Sequence, residues 1–211
     1  MAKKVAFLGL GVMGYPMAGW VCRNDYLVTV YNRTTATAER WCEEYSGDMA
    51  ATARAAVQDA EIIFLCVGND QDVEEVVLGE QGILEALKPG TILVDHTTTS
   101  ASLAKQISAE ANTKGIGFVD APVSGGQQGA ENGQLTVMCG GSEQDFAQVE
   151  SSTTSFAKAV QLMGPVGSGQ LCKMVNQISI AGPVLGLPSG LNFADNSVCA
   201  AQQATAVISK G

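Results

Sequence analysis

Histidine is almost missing from this sequence: His96 is the only one among 211 residues. A metal site built on two histidines therefore cannot form within the chain, and a Ser-His-Asp triad could recruit only His96. Basic residues are also few, 12 against 21 acidic, for a formal charge of −9. They are scattered from Lys3 to Lys210 and make no basic face, which excludes nucleic acid as a partner and argues against a membrane surface. No apolar run approaches about 18 uninterrupted residues, so no membrane-spanning helix is expected. The opening MAKKVAFLGLGVMG has the basic-then-apolar order of a signal peptide, but glycines break the run and no cleavage site follows. Cysteines at 22, 42, 66, 139, 172 and 199 include no C-x-x-C pair and no zinc spacing. They read as buried free thiols in a reducing compartment, so a cytoplasmic location and no metal are expected.

What is present describes a folded chain. Hydrophobic residues make up 46% and charged residues 16%, which excludes disorder. Apolar, β-branched runs at Val5–Leu8, Leu27–Tyr31, Ile62–Val67, Thr91–Val94, Phe118–Asp120 and Leu135–Met138 predict strands. Helical patterns over 14–23, 35–46, 70–87 (broken at Gly79), 100–113 and 142–157 separate most of them. Such alternation predicts an α/β, Rossmann-type doubly wound, mostly parallel sheet. The Gly/Pro-rich stretch Met163 to Gly169 marks a boundary between a nucleotide-binding domain, 1–163, and a second region, 164–211. Leu171 to Phe193 is apolar on nearly all sides and predicts a long helix, kinked at Pro183 and Pro188.

Gly9-Leu10-Gly11-Val12-Met13-Gly14 is a G-x-G-x-x-G run between a predicted strand and a predicted helix. Gly9 permits the tight turn, Gly11 leaves room for a pyrophosphate, and Gly14 lets helix and strand pack closely. The helix N-terminus would then offer its free N–H groups to the phosphates. After the second strand, where an NAD-specific site carries an acid, the chain reads Asn32-Arg33-Thr34. Arg33 can grip a 2′-phosphate in bidentate fashion and Thr34 can add a hydroxyl, so NADP(H) is preferred and NAD(H) is the alternative.

Ser124-Gly125-Gly126 follows a predicted strand. Its flexible amides and hydroxyl suit a carboxylate or oxyanion, but a purely structural turn reads the same way. Lys173 is one charge in an apolar helical stretch and shares a face with Asn176, Gln177 and Ile180. Burial would push its pKa down toward the range of a useful acid or base, whereas a snorkelling lysine at a helix start is the plainer alternative. His96, beside Asp95, reads as structural. The Thr97-Thr98-Thr99 run next to it is better placed to face a cofactor crevice.

Together these pieces resemble the β-hydroxyacid dehydrogenases, which include 3-hydroxyisobutyrate dehydrogenase, tartronate semialdehyde reductase and the glyoxylate/succinic semialdehyde reductases. Four segments carry the resemblance in order: Phe7 to Ala18, Asp95 to Thr99, Asp120 to Gly126, and Gly167 to Gln177. The resemblance implies that Lys173 is the general acid or base. It implies that Ser124, Gly125 and Gly126 hold a substrate carboxylate, that Asn176 and Gln177 help to place the substrate, and that Val67, Gly68 and Thr97 line the cofactor with residues 9–14 and 32–34. It also implies an all-helical second domain, of which this chain is expected to hold only a truncated remnant. The implied activity is NADPH-dependent, reversible reduction of a small carboxylate-bearing semialdehyde or keto acid. The alternative is a catalytically impaired NADP-binding scaffold. An apolar 174–193 helix without its covering domain is expected to pair two chains into a homodimer.

Overall fold

The computed structural model describes residues 2–179. Its strands are Lys4–Leu8 (β1), Leu27–Tyr31 (β2), Asp48–Met49 (β3), Ile62–Leu65 (β4), Ile92–Asp95 (β5), Gly117–Asp120 (β6), Val123–Ser124 (β7), Leu135–Gly140 (β8) and Ala157–Gly164 (β9). The helices are Gly14–Arg23 (α1), Thr35–Glu44 (α2), Ala53–Val57 (α3), Asp70–Leu78 (α4), Ala101–Asn112 (α5), Gly126–Glu131 (α6), Glu143–Thr154 (α7) and residues 168–179 (α8). The sheet runs in the order β3-β2-β1-β4-β5-β6-β8-β7, with β9 on the other side of β8. All pairs from β3 to β6 are parallel, and β8 runs antiparallel to both β6 and β7. The strand order reverses between β1 and β4, which opens a crevice at their carboxyl ends.

The strands divide their side chains between two cores. Val5, Phe7, Val28, Val30, Ile62 and Phe64 point to one face, against Met17 of α1 and Trp41 of α2. Ala6, Leu8, Ile63, Leu65 and Leu93 point to the other, against Val73 of α4 and Leu103 and Ile107 of α5. Alternation into two buried faces is why these strands are apolar throughout.

Several local expectations need correction. The helix expected over 142–157 ends at Thr154, and the chain then forms the long edge strand β9, which was not anticipated and runs into the Gly/Pro-rich stretch at Met163. The 35–46 helix stops at Glu44, with Tyr45 extended, although the Trp41 and Tyr45 rings still stack at 5.0 Å. After Leu78 only the single 3-10 turn Leu84–Ala86 follows, because the Gly79 amide turns back onto the Glu74 and Glu75 carbonyls. The strands β3 and β7 and the helices α3 and α6 were not anticipated. Of the five described cysteines, all free, only Cys139 is fully buried.

The chain divides into two compact units, Met1–Lys173 and Met174–Gly211. Within the second, residues 174–179 are helical. Pro183, Pro188 and most of the 174–193 segment expected to pair two chains lie outside the described residues. No helix among the described residues is long and apolar enough to cross a membrane.

Gly14 sits where a Cβ would run into the Gly9 carbonyl oxygen, whereas a Cβ on Gly11 would meet nothing within 4 Å. Replacing a helical glycine by alanine ordinarily stabilises by about 1 kcal/mol. At Gly14 the sign should reverse: Gly14→Ala is expected to cost about 1–3 kcal/mol, with Gly11→Ala within about 0.5 kcal/mol of the parent. Thermal unfolding of the two variants checks this, and a Gly14→Ala protein that melts higher than the parent would contradict the close approach.

Candidate functional site

The glycine-rich loop lies between β1 and α1, at the carboxyl edge of the sheet. Gly9, at φ +95°, donates its amide to the Tyr31 carbonyl at 2.9 Å. Asn32 braces the loop: its Oδ1 accepts the Leu10 amide at 2.9 Å while its Nδ2 donates to the Thr34 carbonyl at 3.1 Å. Gly11 and Val12 are exposed and Met13 is half-buried. The first turn of α1 has no side-chain cap and no acidic residue. Uncapped amides beside an unobstructed glycine fit a pyrophosphate.

Around this loop, Val67 donates its amide to Thr97 Oγ1 at 3.0 Å, which joins the loops after β4 and β5. Gly68 lies against the Asp72 carboxylate, where a Cβ would collide. Asp72, in the first turn of α4, also stands 3.8 Å from the Arg33 guanidinium, whose side chain is 89% exposed. Thr34 caps α2 by position only, without a side-chain bond. The acid missing from residues 32–34 thus reaches Arg33 from another element. Nothing in the local sequence announced it.

At the end of β5, Asp95, His96, Thr97 and Thr99 are buried. His96 packs against Phe64 and Phe156, with ring centroids 5.1 and 5.3 Å away, and its Nδ1 donates to the Ala121 carbonyl at 2.8 Å. Burial pulls its pKa down to about 4, so the ring is neutral and its role structural. Burial pushes the neighbouring Asp95 carboxyl up to about 7, against the Thr97 contacts that lower it. Its Oδ1 accepts the Thr97 amide at 2.9 Å.

At the end of β6, Asp120 takes amides from the start of α8: Gly167 at 2.7 Å and Gln170 at 2.9 Å. The Gln170 side chain bridges to the β5 loop, accepting from the Thr99 amide at 3.0 Å and donating to the Thr97 carbonyl at 2.7 Å. Neither role was foreseen. One turn further, Lys173 is 8% exposed, and burial lowers its pKa from the ordinary lysine value. Ser124 is half-buried in β7, followed by the exposed, left-handed Gly125 (φ +131°) and Gly126 (φ +62°). Asn176 is half-buried and Gln177 exposed; both belong to the second unit.

Residues 4–164 match the family model of the NAD binding domain of 6-phosphogluconate dehydrogenase. An uncharacterized oxidoreductase of Shewanella frigidimarina is 53% identical over 208 residues, covering 99% of this chain and 72% of that protein. The 2-hydroxy-3-oxopropionate reductase of Escherichia coli is 34% identical over 92% of this chain and 66% of its own length. The solved structure of Mycobacterium tuberculosis 3-hydroxyisobutyrate dehydrogenase with L-serine superposes with a TM-score of 0.93 at 26% identity, covering 100% of this chain and 71% of that one.

Asp95 and His96 should pull the pH dependence of stability in opposite directions. Asp95 holds its proton more tightly when folded, so its contribution is present below about pH 4 and is lost as pH rises to about 7. His96 resists protonation when folded, so its contribution is present above about pH 6.5 and is lost as pH falls to about 4. Each slope approaches about 1.4 kcal/mol per pH unit inside its window. Urea unfolding from pH 4 to 7 should therefore show Asp95→Asn gaining stability on the parent as pH rises. Parallel curves would show that Asp95 does not titrate in this range.

Proposed function

This chain belongs to the β-hydroxyacid dehydrogenase family and is an NAD(P)-dependent oxidoreductase, and on that premise we propose that it reduces a small carboxylate-bearing semialdehyde or keto acid with NADPH. The observation that carries the proposal is Lys173, an amine buried one turn into α8, with its pKa lowered by that burial. A desolvated lysine is a better proton donor than one in water.

The residues divide the work. The loop 9–14 and the N-terminus of α1 hold the pyrophosphate, with Val67, Gly68 and Thr97 along the crevice. Asn32 keeps the loop in shape, and Arg33 and Thr34 meet the 2′-phosphate. Ser124 and the amides at Gly125 and Gly126 hold the substrate carboxylate, and the family resemblance gives Asn176 and Gln177 a part in substrate placement. NADPH held by these residues would be the source of the hydride for the carbonyl carbon. Lys173 gives its Nζ proton to the carbonyl oxygen, and takes it back in the oxidising direction. Candidate substrates are tartronate semialdehyde, succinic semialdehyde, glyoxylate and, in reverse, 3-hydroxyisobutyrate. NADPH oxidation with these aldehydes in parallel tests the reading, and no turnover with any of them would favour the binding-module alternative.

Arg33→Ala is expected to weaken NADPH about tenfold to a hundredfold, the loss of one charge-assisted contact of about 1.5–3 kcal/mol, and to leave NADH nearly unchanged. Fluorescence titration of both cofactors reads this directly. Equal parent dissociation constants would remove the NADP(H) preference.

Lys173→Ala should keep NADPH binding and lose about 10²–10⁴-fold in kcat. A variant with more than a tenth of the parent rate would return Lys173 to the snorkelling role.

A further inference from the structure

The geometry points to Gln170 as a positioning residue that, with Asp120, sets where Lys173 is presented to the reacting carbonyl. The inference rests on Lys173 as the proton donor. The buried residues at the start of α8 are Gly169, Gln170 and Lys173, while Leu171 is 51% exposed and Cys172 only half-buried. No apolar side chain is fully buried here, so hydrophobic packing alone does not seat the turn that carries the lysine.

Polar bonds do it instead. Gln170 is 0% exposed, and both ends of its amide are used, on Thr99 N–H and on the Thr97 carbonyl. Its own backbone amide goes to Asp120 Oδ2, and the Gly167 amide to Asp120 Oδ1. The same Thr97 receives the Val67 amide on its hydroxyl. Gln170 therefore ties the lysine-bearing turn directly to the loop after β5 and, through Thr97, to the loop after β4, the two loops proposed to line the cofactor. The approach is close: a Cβ on Gly169 would lie 2.7 Å from the Asp120 carbonyl oxygen and 2.8 Å from Oδ2. A side chain spanning this gap defines the lysine's distance from the β5 loop, and displacing a catalytic group by about 1 Å can cost on the order of a hundredfold in rate.

Gln170→Met keeps the volume and removes both side-chain bonds, and Gln170→Glu keeps the acceptor for Thr99 but not the donor to Thr97. In the full chain, Gln170→Met is expected to lower kcat about tenfold to a hundredfold, with NADPH affinity and substrate KM within about threefold of the parent, and Gln170→Glu to fall between. Lys173 should also titrate nearer the ordinary lysine value in Gln170→Met, read by NMR of the 13C-dimethylated lysines without cofactor. A variant that only melts lower, with kcat and the Lys173 titration unchanged, overturns the inference and leaves Gln170 a structural residue. Loss of NADPH binding along with activity also overturns it, because the damage would then not be local to Lys173. The two readings fail separately: full activity in Lys173→Ala sinks the proton donor, whereas an unmoved Lys173 titration in Gln170→Met sinks the positioning role.

Discussion

A carboxylate can be buried at the end of β6 only if something replaces the water it gives up, and the start of α8 does so. Asp120 is fully buried, and burial pushes its pKa up while main-chain amides from Gly167, Gly169 and Gln170 pull it down. Desolvation is the larger effect. The amides make the burial tolerable, since a charge-assisted hydrogen bond contributes about 1.5–3 kcal/mol. Much of the local sequence follows from this contact. Gly140 and Gly169 both approach the carboxylate so closely that a side chain on either would collide with it. Gly167 turns the chain at φ +92° to aim its amide inward. The helix begins at residue 168 because its first amides already have a partner.

That contact also explains which features were legible in the chain. The G-x-G-x-x-G loop and the strands around it announce themselves within thirty residues or so, because a βαβ unit is a local object. Lys173 stood out as a lone charge among apolar neighbours. Gln170 did not, since its partners Thr97 and Thr99 come from a distant part of the chain and a buried glutamine carries no local signature. The strand β9 was missed for a different reason. It is an edge strand with a mostly exposed or half-buried pattern, so its residues lack the continuous apolar run that marked β4. In the Gly/Pro-rich segment read as a domain boundary, Gly167 and Gly169 serve the Asp120 contact, a role that local composition does not announce.

His96 reads as structural in the sequence, and its surroundings in the fold agree. The only histidine invites a catalytic role, yet it lies between two phenylalanine rings with its donor nitrogen on a backbone carbonyl. A neutral, buried ring of this kind packs like an aromatic. The adjacent Asp95 is held by the Thr97 amide, so the Asp-His-Thr segment shapes the loop that Gln170 and Val67 then grip.

The segment after β2 gives only part of the account of cofactor choice. Arg33 is free of acids within residues 32–34, but Asp72 reaches it from α4. A 2′-phosphate must therefore compete with a carboxylate already on the guanidinium. The magnitudes decide the contest. Arg33 is almost wholly exposed, and ion pairs of that kind contribute about 0–1 kcal/mol. A bidentate phosphate contact is worth about 1.5–3 kcal/mol and brings a larger charge. Under the proposed reading the phosphate displaces Asp72 at a small cost. The Asp72 carboxylate also lies against Gly68, in the loop proposed to line the cofactor, so its charge would work against a phosphate bound there. Under that reading the choice between NADPH and NADH is set by two residues on two elements, Arg33 attracting the 2′-phosphate and Asp72 opposing it.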